Sequence, residues 1–268
     1  MKIKLFVSDI DGTILQTPKK ISARNIDAVK KMVDAGIVVT IATGRMYRAA
    51  LPIAKELGVD VPIITYNGGL IKSVNGEIIH AQYLPEKVLV DVINFYEQRG
   101  WHLQSYSDDN LIVPAYNDFV RLYESNQKVK ASVVGWDGMK EKTFHVCKLL
   151  SISDNEEENS RRMAELKKNF AGKIEVTKSA PIFTEIMCPN VSKASAVKIL
   201  AEKIGVKREE VMAIGDSYND LPMLQAAGVS VAMGNATDDV KKFCDFVTGN
   251  CEDDGFAEAV EKFVFNES

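Results

Sequence analysis

The 268-residue chain has no stretch approaching the roughly 20 consecutive apolar residues needed to cross a bilayer, which excludes a helical membrane span. Its opening, MKIKLFVSDIDG, meets acids too early for the long apolar segment of a secretory signal. Cysteine and histidine are scarce. Cys147, Cys188, Cys244 and Cys251 form no CxxC pair, and His80, His102 and His145 stand at no ligand spacing from them, so neither a disulfide framework nor a zinc centre is expected. Positive charge is not in surplus, with 33 Lys and Arg against 37 Asp and Glu and a net charge of −4. That excludes a general basic surface for nucleic acid. Repeats and low-complexity tracts are absent as well. What is present, 46% hydrophobic and 26% charged residues, is the composition of a globular protein. The expectation is a soluble, cytoplasmic chain with reduced structural thiols and no nucleic-acid or membrane partner.

The apolar pattern predicts buried strands over 3–8, 38–42 and 62–66, separated by helices. Ser22 is placed to cap the first helix, in which Ile26, Val29, Met32 and Val33 recur at helical spacing until Gly36. Asn75-Gly76 between two apolar pairs predicts a hairpin. From Leu84 the grammar changes to helix 85–99, strands 101–107 and 111–115, strand 144–152, a charged helix 154–170 and strands 173–177 and 182–187. The acidic run 154–158 sits where that helix begins and suits the positive end of its dipole. From Ser192 the strand-helix alternation returns. These patterns predict an α/β fold, a Rossmann-like doubly wound parallel-sheet core over 1–82 and 188–268 with an inserted α+β cap domain over 83–187.

Carboxylates gather where strands run out. Asp9-Ile10-Asp11-Gly12-Thr13 follows the first strand, and residues two apart in an extended segment face the same side. The carboxyl edge of an open α/β sheet is where ligands bind, although Asp, Gly and Thr are equally ordinary turn residues. Gly215-Asp216-Ser217-Tyr218-Asn219-Asp220 delivers more acids to the same kind of edge. Crowded carboxylates call for a cation, and oxygen-only donors select a hard one such as Mg²⁺. Thr43-Gly44-Arg45 offers a hydroxyl, a small residue and a helix N-terminus for an anion. Thr65-Tyr66-Asn67-Gly68-Gly69 ends the third strand. Lys193 opens a helix, where a lysine is ordinarily a surface residue but can neutralise a phosphoryl group.

In this order the four clusters resemble the haloacid dehalogenase superfamily of aspartate-nucleophile phosphohydrolases. DIDGT matches its DxDxT motif, Thr43 the second-motif hydroxyl, Lys193 the third-motif lysine and GDSYND the acidic fourth motif. The inserted lobe, with VSKxxA and GDSYNDLPM, resembles the Cof-type branch of sugar-phosphate and related phosphatases. Ala194 departs from the glycine usual after that lysine. The resemblance implies that Asp9 attacks phosphorus and that Asp11 serves as general acid and then base. It implies Mg²⁺ held by the Asp9 carboxylate, the Asp11 carbonyl and Asp216. Thr43 and Lys193 would bind the phosphoryl oxygens, with Gly44 beside Thr43 in the anion cradle, Asn219 would contact the phosphate or the nucleophile, Asp220 would orient Lys193 or a water on the metal, and Arg45 and Asn67 would lie near the substrate. Tyr106, Asp108 and Trp136 are candidate cap contacts, residues more often packed or solvated. The expected activity is Mg²⁺-dependent hydrolysis of a small phosphate ester, a sugar phosphate or similar. A sugar phosphomutase using the same intermediate and a non-enzymatic phospho-ligand sensor are the alternatives.

Overall fold

The computed structural model describes residues 2–18 and 20–266. Chain contacts divide it into two compact units, one built from 1–44, 50–79 and 192–268 and the other from 45–49 and 80–191. The second therefore begins and ends a few residues outside the expected 83–187 and takes the segment 45–49 with it.

The chain begins with β1 (Leu5–Ser8), α1 (Ala23–Asp34), β2 (Val38–Ile41) and α2 (Tyr47–Glu56), followed by β3 (Ile63–Thr65), β4 (Leu70–Lys72) and β5 (Ile78–Ala81). Next come α3 (Glu86–Glu97), β6 (Gln104–Ser107), β7 (Asn110–Val113), α4 (Asp118–Gln127), β8 (Ser132–Val133) and α5 (Gly135–Glu141). β9 (Lys148–Ile152), α6 (Glu156–Asn169), β10 (Glu175–Ala180) and β11 (Phe183–Met187) complete the inserted part. The last stretch runs α7 (Lys193–Ile204), β12 (Val211–Gly215), α8 (Leu221–Ala226), β13 (Val229–Ala232), α9 (Asp238–Lys241), β14 (Phe246–Val247) and α10 (Gly255–Ala259).

The first unit is an α/β Rossmann-like core. Its main sheet has the order β14-β13-β12-β1-β2, and every pairing is parallel. β1 and β12 are buried along their whole length, which is why their sequences run apolar instead of alternating. The register sets Ser8 opposite both Ile214 and Ile41, so the residues after β1, β12 and β2 leave the sheet at one edge. On α1, Ser22 accepts from the Asn25 N–H as expected, but the buried stripe is Asn25, Ala28, Val29 and Met32. Val33 is 44% exposed, one step round the helix from that stripe. The segment 62–66 is a shorter strand than expected and pairs antiparallel with β4, touching the main sheet through the single bridge Ala42–Ile64. The chain reverses there because Tyr66 and Asn67 both take left-handed backbone, at φ 53° and 54°.

The second unit carries a sheet of order β10-β11-β9-β6-β7-β8, antiparallel except between β7 and β8. Its core joins Leu89, Val92, Ile93 and Tyr96 of α3 to Leu149, Leu166 and Ile186. Each such fully buried side chain contributes about 1.5–3 kcal/mol. Asn155 caps α6 by accepting from the Glu158 N–H, and Glu156, Glu157 and Glu158 occupy its first turn as the dipole favours. α4 and α5 were not foreseen, because each buries few apolar side chains, Val120 and Tyr123 in one and Met139 with the half-buried Trp136 in the other. Two of the three candidate contacts in this lobe are packed residues. Tyr106 is buried and donates to Tyr123 Oη at 2.7 Å, and Trp136 lies against the apolar core. Asp108 instead sits at the exposed hairpin tip, 3.3 Å from His145 Nδ1. All four cysteines are free, and among the described residues no helix is long and apolar enough to cross a membrane.

Candidate active site

β1 delivers Asp9 to the carboxyl edge of the sheet, where its N–H donates to the Ile214 carbonyl at 3.0 Å and its side chain is buried. Asp11, two residues on, is exposed at the rim. Between them and Thr13 the backbone needs glycine. Gly12 has φ +80°, and a Cβ there would lie 2.6 Å from Asp216 Oδ2. Thr13 Oγ1 donates to Asp216 Oδ1 at 3.1 Å and Ser217 Oγ to Asp216 Oδ2 at 3.1 Å, so both oxygens of Asp216 are oriented. No role for Thr13 or Ser217 was read from the sequence. The signal available was their placement, a hydroxyl two residues past Asp11 and another directly after Asp216.

Lys193 is fully buried, contrary to the surface position ordinary for a lysine opening a helix. Ser192 and Ser195 form a capping box that fixes the start of α7, and from there Lys193 Nζ reaches Asp9 Oδ1 and Asp220 Oδ1, each at 2.5 Å. Asp220 Oδ2 accepts from the backbone N–H groups of Asp216 and Ser217 at 3.0 and 2.9 Å. Asp9, Asp216 and Asp220 can bring one oxygen each within 4.8 Å of one another. With one oxygen on the ammonium and the other on two N–H groups, Asp220 is nevertheless a brace for the site, so Asp9 and Asp216 are the two carboxylates of the group that could hold a cation.

Thr43 follows β2, is buried, and is tied to the Asn67 turn by the Asn67 N–H donating to its carbonyl at 2.9 Å. That turn is pressed against the start of α7: a Cβ on Gly68 would stand 2.2 Å from the Ser192 carbonyl oxygen. Asn219 Nδ2 donates to Asn67 Oδ1 at 3.1 Å, while the buried Asn219 Oδ1 has no hydrogen-bond partner. Thus the first unit itself brings together Asp9, Lys193, Asp216 and Asp220, with Thr13 and Ser217 on Asp216, and links Thr43, Asn67 and Asn219 through hydrogen bonds. Gly44 is partly buried at the end of this unit's first segment. Arg45 is buried and groups with the second unit, in which Arg48 donates its N–H to Asp109 and its guanidinium to Asn110.

Burial pushes the Asp9 carboxyl well above the usual range, with the negative charge of Asp220 adding to it and the Lys193 ammonium opposing it. Burial, then Asp220, raises Asp216 to about 7 against the hydrogen bonds from Ser217 and Thr13. For Lys193 burial works against the charge, but Asp220 and Asp9 outweigh it and the ammonium is held more firmly than in water. A single ammonium thus faces three carboxylates in low dielectric. An all-oxygen donor set, two of whose carboxyls resist ionisation through burial and mutual repulsion, fits a hard divalent ion.

A family model described as haloacid dehalogenase-like hydrolase matches residues 6–260. The chain is similar to a 5-amino-6-(5-phospho-D-ribitylamino)uracil phosphatase of Bacillus subtilis (strain 168), 32% identical over 98% of this chain and 96% of the relative. It also resembles an HMP-PP phosphatase of Serratia proteamaculans (strain 568), 26% identical over 97% and 95%. Among solved structures, a haloacid dehalogenase-like hydrolase from Bacteroides thetaiotaomicron superposes with a TM-score of 0.88 at 33% identity, covering 98% of this chain and all of that one.

Proposed function

The chain belongs to the haloacid dehalogenase-like hydrolases, and from that premise we propose that it is a Mg²⁺-dependent phosphatase cleaving a small phosphomonoester through an aspartyl-phosphate on Asp9. The observation that carries this reading is the buried Lys193 ammonium at 2.5 Å from Asp9 Oδ1, with Asp216 oriented beside it.

In the forward step an Asp9 carboxylate oxygen attacks phosphorus and the bond from phosphorus to the ester oxygen breaks, splitting one difficult displacement into two. Asp11, at the exposed rim, gives its proton to the departing oxygen. As a carboxylate it then takes a proton from the water that hydrolyses the acyl phosphate, releasing inorganic phosphate. Lys193 opposes the burial that disfavours the Asp9 carboxylate and offers positive charge to the transferring group, while Asp220 fixes the ammonium's direction. Thr43 and Gly44 at the end of β2 bind phosphoryl oxygens, and Asn219, held by Asn67, keeps its unpaired Oδ1 as an acceptor for a hydroxyl group of the substrate. Asp9 and Asp216, with the Asp11 carbonyl, would hold Mg²⁺, which when bound supplies charge neutralisation of the phosphoryl oxygens.

Phosphate release from a panel of phosphomonoesters, with Mg²⁺ or with chelator, tests the proposal. Sugar phosphates and the phosphoribityl compound named for the Bacillus relative are the first esters to try. Acid quenching should trap phosphate on Asp9. Full turnover by Asp9→Asn protein would refute the nucleophile, and phosphoryl return to a second hydroxyl in place of phosphate release would indicate a mutase.

A further inference from the structure

The side chain of Asn235 donates through Nδ2 to the Gly12 carbonyl at 2.8 Å and accepts through Oδ1 from the Cys251 N–H at 2.8 Å. Its own loop is fixed by the two residues that precede it. The Met233 N–H donates to the Gly215 carbonyl at 3.0 Å and the Gly234 N–H to the Gly249 carbonyl at 2.9 Å. Backbone and side chain press so closely at Gly234 that a Cβ would lie 2.7 Å from Asn250 Oδ1. The Cys251 peptide is held again from the other direction, since Gln16 Nε2 donates to the Cys251 carbonyl at 3.0 Å and to Asp254 Oδ1 at 2.9 Å. A closed circuit therefore runs from Gly12 through Asn235 and the Cys251 peptide to Gln16, bracing the loop that carries Asp11 at both its ends.

We infer that Asn235 is a positioning residue for Asp11, acting through the Gly12 carbonyl, with Gln16 closing the same brace. The inference rests on the reading of Asp11 as general acid. Asn235 does not touch the reacting atoms. An exposed asparagine at a loop position is ordinarily free to turn in water, whereas this one spends its donor on the carbonyl of Gly12, next to the acid, and its acceptor on the Cys251 N–H, both at good length. Asp at this position keeps an acceptor for Cys251 and loses the donor to Gly12; Ala loses both. Because Gly12 also abuts Asp216, a released turn shifts Asp11 relative to the nucleophile, and a displacement near 1 Å is worth about 10²-fold in rate.

A general acid matters most when the leaving oxygen is a poor one. The test measures kcat/KM for an alkyl phosphate and for p-nitrophenyl phosphate with wild type, Asn235→Asp, Asn235→Ala, Gln16→Ala and Asp11→Asn, and records thermal melting of each. Asn235→Asp and Asn235→Ala should lower kcat/KM for the alkyl ester by about 10- to 100-fold and for the aryl ester by less than about 3-fold, with Gln16→Ala weaker but in the same sense. Equal losses on the two esters, while Asp11→Asn discriminates between them, would overturn the inference and leave the general-acid reading standing. If Asp11→Asn itself treats both esters alike, the general-acid reading fails and this inference fails with it.

Discussion

Replacing Lys193 by Met removes the one cation from a buried cluster in which Asp9 and Asp220 each lie 2.5 Å from its ammonium. The thioether stem fills similar space, so the change is chiefly electrostatic. Breaking a buried ion pair by deleting one partner destabilises by about 3–5 kcal/mol, because the surviving charge stays desolvated. Here two carboxylates are stranded, and protonation of one relieves part of the penalty. An expected loss of about 3–5 kcal/mol corresponds to a fall in melting temperature of about 6–20 °C for a chain of this size. Urea unfolding at neutral pH in the presence of chelator measures it. The double variant Lys193→Met with Asp220→Asn should recover a substantial part of the loss, since only one buried carboxylate then lacks a partner. A Lys193→Met protein within 1 kcal/mol of wild type, or a double variant less stable than the single one, would refute the placement of this lysine as the keystone of the cluster.

Gly12→Ala should lower stability by about 1–3 kcal/mol and activity more severely, because the added methyl lies on Asp216 Oδ2 in a left-handed backbone; melting and phosphate release check it. In the presence of Mg²⁺ at about 100 times its dissociation constant the protein should gain about 2.7 kcal/mol, and Asp216→Asn should abolish that gain in a melting experiment. His102 is held neutral by burial, with its pKa lowered to about 4 despite the hydrogen bond its Nε2 makes to Gln104 Oε1. The unfolded chain binds that proton from about pH 6.5 downward while the fold does not, so the contribution is present above pH 6.5 and is lost as pH falls to about 4. The loss amounts to about 3 kcal/mol. Comparing urea midpoints of wild type and His102→Gln at pH 7 and pH 4.5 isolates it, and parallel curves would contradict it.

The parts of this molecule that could be read from sequence are those whose cause is local. Asp9, Asp11 and the 215–220 cluster sit directly after apolar strands, and in a parallel sheet the end of a strand fixes where the next residue points. The cap of α1 by Ser22 depends only on residues within three positions of it. Lys193 could be found but its burial could not, because the carboxylates that hold it come from 184 residues upstream and 27 downstream. Asn235 was missed for the same reason: nothing near it in the chain distinguishes a solvated loop asparagine from one committed to Gly12. α4 failed differently, since a helix with two buried apolar residues leaves too weak a periodicity to read.

The central position of β1 in the main sheet, between β2 and β12, has a consequence for how the protein is born. Thr13 and Asp216 are 203 residues apart, so at about 5–20 residues per second the strand bearing the nucleophile leaves the ribosome about 10–40 s before its second neighbour exists. Throughout that interval one long side of β1 has no native strand to pair with, and Asp9 has no lysine until 184 further residues have been made. The nascent chain is then both inactive and open to adhesion along that side, and chaperone contact during synthesis should concentrate on it until β12 emerges.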